Sequence, residues 1–279
     1  MALVLFTSGS SGSPKGIQLS RRALTAHLET LREVFDHDQS VIHNVLPMHH
    51  ADGLVQGPVL AYSVGGTLVR PADFTVGDLP LILDAVYAHR VTHMITVPTV
   101  LALLTRLGSA YADAFDSDSF RLVMSNAAPL PTALWEEVES RFGVVVCNSY
   151  GLTETVTSSL ASGPDERRHR RMGTVGRAVG AEVVLLEPAG EEIMEQVAEG
   201  EIAIRGEHLY SGYLDDPERT AAVFDGTTLR TGDLASRDAD GYIRIIGRTS
   251  RMIITGGENV APDEIDAVLL EHRSVLEQH

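Results

Sequence analysis

Between Leu5 and Ser20 the chain reads LFTSGSSGSPKGIQLS, and the part from Thr7 to Gly16 combines five hydroxyl residues and three glycines with one lysine, Lys15. Glycines let a backbone come close to an anion, amides and hydroxyls donate to its oxygens, and a lysine adds charge, so the composition suits a phosphate cradle. The same composition also suits a flexible connector. The apolar run Ala2–Phe6 favours the cradle, because it reads as a buried strand entering the loop, with a helix expected from Ile17 onward. The loop is not of the Walker type, since Lys15 follows Pro14 and precedes Gly16; neither G-x-G-x-x-G nor G-x-S-x-G occurs.

Two later stretches could act on the same kind of ligand. In NSYGLTETVTSS, Asn148 to Ser159, Tyr150 can lie against a flat base, Thr153 can donate to a phosphate, and Glu154 can hold magnesium, which takes oxygen ligands and phosphate partners. A plain strand-end turn with a solvated glutamate fits these residues equally well. In RTGDLASRDADGYIRIIGR, Arg230 to Arg248, Asp233 is suited to accept from two ribose hydroxyls and Arg248 to add a charged donor, or both are surface charges. Asp238 to Tyr242 reads as a hairpin turn with no chemistry of its own.

The elements that position these residues alternate through the first part of the chain. Helical spacing covers Arg21 to Phe35, with Ala23, Leu24, Leu28, Leu31 and Val34 toward one side, and strands are expected at Val41–Leu46, Thr67–Val69, Arg121–Met124 and Val144–Asn148. Helices are expected at Leu79–His89, after Pro98, and at Thr132–Phe142, which implies an α/β layered domain with a parallel-rich sheet over residues 1–164. Short alternating strands with glycine turns follow over residues 165–248 and imply a smaller β-rich, barrel-like region. Residues 249–279 read strand, glycine loop, helix.

Composition narrows the partners. With 22 Lys and Arg against 38 Asp and Glu, the net charge of −16 argues against nucleic acid or an anionic membrane surface, so an anionic ligand must be held by local donors. Cys147 is the single cysteine, which excludes an intramolecular disulfide, points to a reducing cytoplasm, and reads as a small buried strand residue. The first residues lack a charged n-region and no apolar run reaches bilayer length, so a cytoplasmic protein is expected.

Taken in order, the motifs resemble those of the adenylate-forming superfamily: acyl-CoA synthetases, aryl-CoA ligases, luciferases and the adenylation domains of peptide synthetases. The hydroxyl- and glycine-rich loop ending Pro14-Lys15-Gly16, Tyr150-Gly-Leu-Thr-Glu154, Thr231-Gly-Asp233 and Gly247-Arg248 carry the resemblance, and GEIAIRGEHLYSGYL and GGENVAPDEID extend it over essentially the whole chain. It implies activation of a carboxylic acid as an acyl-adenylate with ATP and Mg2+, then transfer to a thiol of coenzyme A or a carrier protein. It further implies that Thr7, Ser8, Gly9, Ser10, Ser11, Gly12 and Lys15 hold the ATP phosphates, that Tyr150 stacks on adenine, and that Thr153 contacts phosphate. By the same match Glu154 binds magnesium, Asp233 and Arg248 hold ribose, and Lys15, Thr153 and Glu154 are the catalytic set.

PMHHADGL, Pro47 to Leu54, is similar to a segment that places His50 beside the acid pocket, and the lack of a Phe-Asp pair there implies an acid other than an amino acid. The family's usual subdomain before the loop and the lysine near the end of its C-terminal lid have no counterpart in these 279 residues, and Ser250 stands where the lid hinge is usually charged. The expectation is therefore a chain that binds ATP but adenylates slowly or not at all without those parts. The alternative is a non-catalytic nucleotide-binding remnant or a partner subunit needing a separate lid-bearing protein.

Overall fold

The computed structural model describes residues 1–7, 14–107, 111, 113–249, 253–255 and 258–260. The chain begins with a hairpin, β1 (Leu3–Thr7) and β2 (Lys15–Leu19), whose antiparallel register sets Thr7 opposite Lys15. The helix expected from Ile17 is thus a strand first. Ile17 and Leu19 are fully buried while Gln18 between them is not, the two-residue alternation of a half-buried strand. Helix α1 (Arg21–Phe35) starts only at Ser20, whose hydroxyl caps the Ala23 amide, and it ends at Asp36 in the left-handed region with φ 59°.

A seven-stranded sheet follows, built from β3 (Val41–Asn44), β4 (Thr67–Val69), β5 (His93–Thr96), β6 (Leu122–Ser125), β7 (Val146–Tyr150), β8 (Leu160–Ser162) and β9 (Arg177–Ala178). Its order is β4-β3-β5-β6-β7-β8-β9; the pairs from β4 to β7 are parallel, and β8 and β9 are added antiparallel. Both faces are covered. Helices α4 (Leu79–Ala88), α5 (Pro98–Leu107) and α6 (Thr132–Phe142) bury Leu83, Leu101, Trp135 and Phe142 against Met94, Val123 and Val146. On the other face α1 and α3 (Leu60–Ser63) bury Leu31, Phe35 and Leu60 against Ile42, Ile95, Met124 and Cys147. Cys147 is therefore a packing residue as expected, and burial pushes its thiol up, away from the reactive range.

Between β3 and β4 the chain enters α2 (Ala51–Leu54) and passes through a wide turn at Val55–Val59, where Gly57 leaves helical geometry next to Pro58, before α3. The second sheet is antiparallel in sequence order: β10 (Glu182–Leu186), β11 (Ala198–Arg205), β12 (Thr228–Arg237) and β13 (Ile243–Arg248), with the short α7 (Pro217–Val223) before β12. Asp238 to Tyr242 is the expected hairpin turn, closed by Asp238 accepting the Asp240 and Tyr242 amides. A last antiparallel pair, β14 (Ile253–Thr255) and β15 (Glu258–Val260), ends the described chain; the expected hinge at Ser250, the glycines at 256 and 257 and the final helix lie outside the described residues.

Although first in sequence, the hairpin packs with the second sheet. Leu5, Ile17 and Leu19 share one core with Ile202, Ile204, Leu229 and Ala235. Backbone bonds from Gln18 to Gly212, Ser211 to Gln18 and Leu214 to Gly16 fasten β2 to residues 211–214. Ile17→Ala should therefore lower unfolding free energy by about 2–5 kcal/mol, read by chemical denaturation; an unchanged midpoint would mean that the hairpin is not part of the cooperative core.

Candidate active site

The parallel strands end on one side of the sheet, where open α/β sheets bind ligands, and two adjoining cavities lie there. One, of about 390 Å³, is lined by Ala127–Leu130, Asn148–Leu152, Gly173–Val175, Asp233 and Arg248 among others. The other, of about 430 Å³, takes in Thr7, Lys15, His50, Asp52, Thr153, Glu154, Tyr213, Arg230 and Arg248. Every candidate residue named from sequence that the structure describes lines one of the two: Thr7, Lys15, His50, Tyr150, Thr153, Glu154, Asp233 and Arg248. Ser8, Gly9, Ser10, Ser11 and Gly12 lie outside the described residues.

Asp233 sits at the junction of the two sheets. Its register on β12 explains how it gets there: between Glu201 and Ala203 of β11 the partners step from Leu234 to Arg230, so Thr231–Asp233 bow out of the ladder. Gly232 takes φ 75°, a conformation that glycine adopts without strain. The Thr231 hydroxyl donates to the Ile202 carbonyl, and Glu201, buried in β11, accepts the Gly232 amide and pairs with Arg230. So fixed, the Asp233 carboxylate accepts from the Tyr150 hydroxyl at 2.6 Å and pairs with Arg248 Nε at 2.7 Å. Burial and the Asp233 charge hold the Tyr150 hydroxyl well above the usual phenol range, so it stays a donor.

The loop after Tyr150 is equally constrained. A Cβ on Gly151 would stand 1.8 Å from the Thr157 carbonyl oxygen, so only glycine fits. Thr155 Oγ1 closes a turn on Leu152, and Val156 is held at φ 67° with the Thr157 amide bonded to the Thr155 carbonyl, an uncommon geometry for a β-branched residue. Within this turn Glu154 Oε1 accepts from the Tyr213 hydroxyl at 2.8 Å, and Lys15 Nζ lies 5.1 Å from the centre of the Tyr213 ring. One tyrosine from the segment bonded to β2 thus stations both the lysine and the glutamate. Burial and the Glu154 charge raise the Tyr213 hydroxyl, which keeps it protonated.

Asn148 and Asp52, beyond the sequence reading, line the cavities beside the expected His50. Asn148, which lines the first cavity, donates from Nδ2 to the Thr174 carbonyl at 3.0 Å, while its buried Oδ1 has no hydrogen-bond partner among the described residues. His50 precedes α2, its ring 4.3 Å from that of His49, and burial followed by the neighbouring His49 charge lowers its pKa. Asp52, on α2, is raised to about 6 by burial, and Gln56 Nε2 donates to its Oδ1 at 2.7 Å. No single-sequence signal marks Asn148 or Glu201 as special, because what singles them out is burial against residues 26 and 31 positions away. Among the described residues no group of three or more His, Cys, Asp or Glu is arranged to hold a metal, and no helix is long and apolar enough to cross a membrane.

The Asp52 shift fixes a pH dependence. A carboxyl whose folded pKa lies above its unfolded value binds more protons when folded, so it lowers stability as pH rises from about 4 to about 6. Asp52→Asn, which keeps the acceptor for Gln56, should raise the unfolding free energy at pH 7 by at most about 3 kcal/mol and leave it unchanged near pH 3, compared by thermal melts of the two proteins. An equal difference at both pH values would show that the carboxyl is not the cause.

The geometry has counterparts among known proteins. The model of the AMP-binding enzyme family matches residues 1–214. Sulfoacetate–CoA ligase of Cupriavidus necator is 37% identical over 99% of this chain and 53% of its own, and oxalate–CoA ligase of Arabidopsis thaliana is 32% identical over 98% of this chain and 53% of its own. O-succinylbenzoate coenzyme A synthetase from Bacillus subtilis, solved in complex with AMP, superposes with a TM-score of 0.84 at 30% identity, over 98% of this chain and 55% of its own. The same enzyme has been solved with ATP and a magnesium ion, again at a TM-score of 0.84 and 30% identity over 98% of this chain. The chain spans about half the length of the relatives it matches. With most of its length matched by the family model and its site residues gathered at the ends of the parallel strands, the chain belongs to the AMP-binding enzyme family.

Proposed function

We propose that this chain binds ATP with magnesium and takes part in activating a carboxylic acid as an acyl-adenylate, which is then passed to a thiol. The observation that carries the reading is the pairing of the two cavities: groups suited to a nucleoside line one, groups suited to polyphosphate line the other, and Arg248 borders both. In the first, the Tyr150 ring can cover a base, and Asn148 Oδ1, buried with no partner among the described residues, can accept from an exocyclic amine that displaces the groups over it, an amine that adenine has and guanine lacks at C6. Asp233, already oriented by Tyr150 and Arg248, is the acceptor for the ribose hydroxyls.

In the second cavity, Lys15 and Thr7 face each other across the hairpin and Thr153 offers a hydroxyl, so phosphate oxygens meet donors from two sides. Glu154 fits magnesium by its chemistry: Oε1 is held by Tyr213, which aims an oxygen-donor carboxylate beside the Thr153 hydroxyl. When bound, magnesium neutralises charge on the phosphates. The chain's own groups orient the α-phosphate toward the acid and hold the developing charge with donors fixed before the substrate arrives. No nucleophilic side chain is required, because the acid itself attacks. Coenzyme A is favoured as the thiol over a carrier protein because the relatives are named CoA ligases. A lid lysine supplied from outside these residues, in a longer chain or by a partner, fits the span of the match.

Calorimetric titration tests the nucleotide half: ATP should bind at least tenfold more tightly than GTP, and Asp233→Asn should weaken ATP roughly tenfold to hundredfold by removing a charged hydrogen-bond acceptor. Equal affinity for the two nucleotides removes the Asn148 assignment, and an Asp233→Asn protein that binds ATP normally removes the ribose assignment. Acid-dependent exchange of labelled pyrophosphate into ATP then reports the chemical half.

A further inference from the structure

The polyphosphate-side cavity contains a carboxylate for which adenylation has no task. Asp52 lines it together with His50, Asn126, Ser149 and Thr157. Behind it runs a chain of side chains: Ser158 donates to Ser149 at 3.1 Å, Ser149 to Asn126 Oδ1 at 2.5 Å, Asn126 to Gln56 Oε1 at 3.0 Å, and Gln56 to Asp52 Oδ1 at 2.7 Å. Gln56, Asn126, Ser149 and Ser158 are all buried. Every donor in the chain points toward Asp52, the arrangement that polarises a network to support an anion at its end. Yet among the described residues the carboxylate takes this one hydrogen bond and forms no ion pair with a Lys, Arg or His. Desolvation raises its pKa.

Asp52 is half-buried, and a carboxylate on a cavity wall with little compensating charge gains when something in the cavity supplies a positive one. We propose that Asp52 selects the acid, and that the substrate is a carboxylic acid carrying a cationic nitrogen, of the ω-ammonium or betaine type, whose charge rests on the Asp52 carboxylate. The nitrogen is placed away from the α-carbon because the Phe-Asp pair of amino-acid activation has no match at His49-His50. This inference rests on the adenylation reading. It separates the chain in charge from relatives named for sulfoacetate and oxalate, since an acid with a second negative group would meet Asp52 as a like charge.

The test is calorimetric binding of a charge series to the full chain saturated with ATP: 4-aminobutyrate, 4-(trimethylammonio)butanoate, pentanoate and glutarate. Either cationic acid should bind roughly tenfold or more tightly than pentanoate, glutarate should bind weakest, and Asp52→Asn should erase the order. The tighter of the two cationic acids shows which kind of nitrogen the site takes. Equal binding across the series, no binding by either cationic acid, a preference for glutarate, or a preference that survives Asp52→Asn overturns the proposal. Should the variant fail to fold, the series on the unaltered chain decides alone. Failure to bind ATP sinks the adenylation reading and this one together, whereas ATP binding without charge preference sinks only this one.

Discussion

A buried carboxylate where two sheets meet is the constraint on which the site depends. Asp233 belongs to the second sheet, Tyr150 to the last parallel strand of the first, and Arg248 to the end of β13. An ionised group at that depth is stable only with partners in place: Arg248 supplies one from the neighbouring strand of the same sheet, and the hydrogen bond from Tyr150 requires the two sheets to stand at one separation. The bulge that lifts Asp233 off β11 while leaving it paired with Arg248 on β13, and Glu201 gripping its turn, place the irregular backbone at the edge of the first cavity. The junction is at once a structural contact and part of the wall of the first cavity.

The hairpin at the start of the chain makes a second tie of the same kind. Its core partners are in the second sheet, yet its loop ends, Thr7 and Lys15, face the ends of the parallel strands. Cross-strand pairing of Thr7 with Lys15 fixes both ends of the loop, so the closure entropy of the connecting residues is met by the hairpin and not by the ligand. Tyr213 extends the tie: it lies in the segment bonded to β2, and it carries both the Glu154 hydrogen bond and the Lys15 contact. A tyrosine 59 positions beyond Glu154 thereby stations that residue together with Lys15.

What was legible in the sequence was whatever local pattern controls. The parallel-rich layered sheet followed by a β-rich region reads from alternating periodicities, and Thr7, Lys15, Tyr150, Thr153, Glu154, Asp233 and Arg248 read from motifs at strand ends; the structure gathers these seven around the paired cavities. Ile17 was misread because Gly16-Ile17-Gln18-Leu19 is too short to separate a strand from the helix that begins at Arg21, and the hairpin partner that decides it lies across the loop. Asn148, Glu201 and Tyr213 carry no local signature. Asn148 matters through an oxygen left partnerless by a bond to Thr174, and Glu201 through a turn on the neighbouring strand, both facts of tertiary packing.

Electrostatics sets the last requirement. A chain of net charge −16 repels a polyphosphate at long range, so binding has to come from contacts inside the cavities. The cations there are themselves restrained: Arg230 by Glu201, Arg248 by Asp233, Lys15 against the Tyr213 ring. Held this way, each retains donors for phosphate or ribose while losing little freedom on binding, and the two arginines bring their own counter-charge, so the empty site is not a concentrated positive patch. The carboxylates differ: Glu154 accepts from the Tyr213 hydroxyl and Asp52 from Gln56, and neither forms an ion pair among the described residues. A cavity-wall carboxylate without an ion-pair partner is where a ligand of complementary charge gains most, and the proposed choice of a cationic acid draws on that gain at Asp52, as the proposed magnesium site does at Glu154.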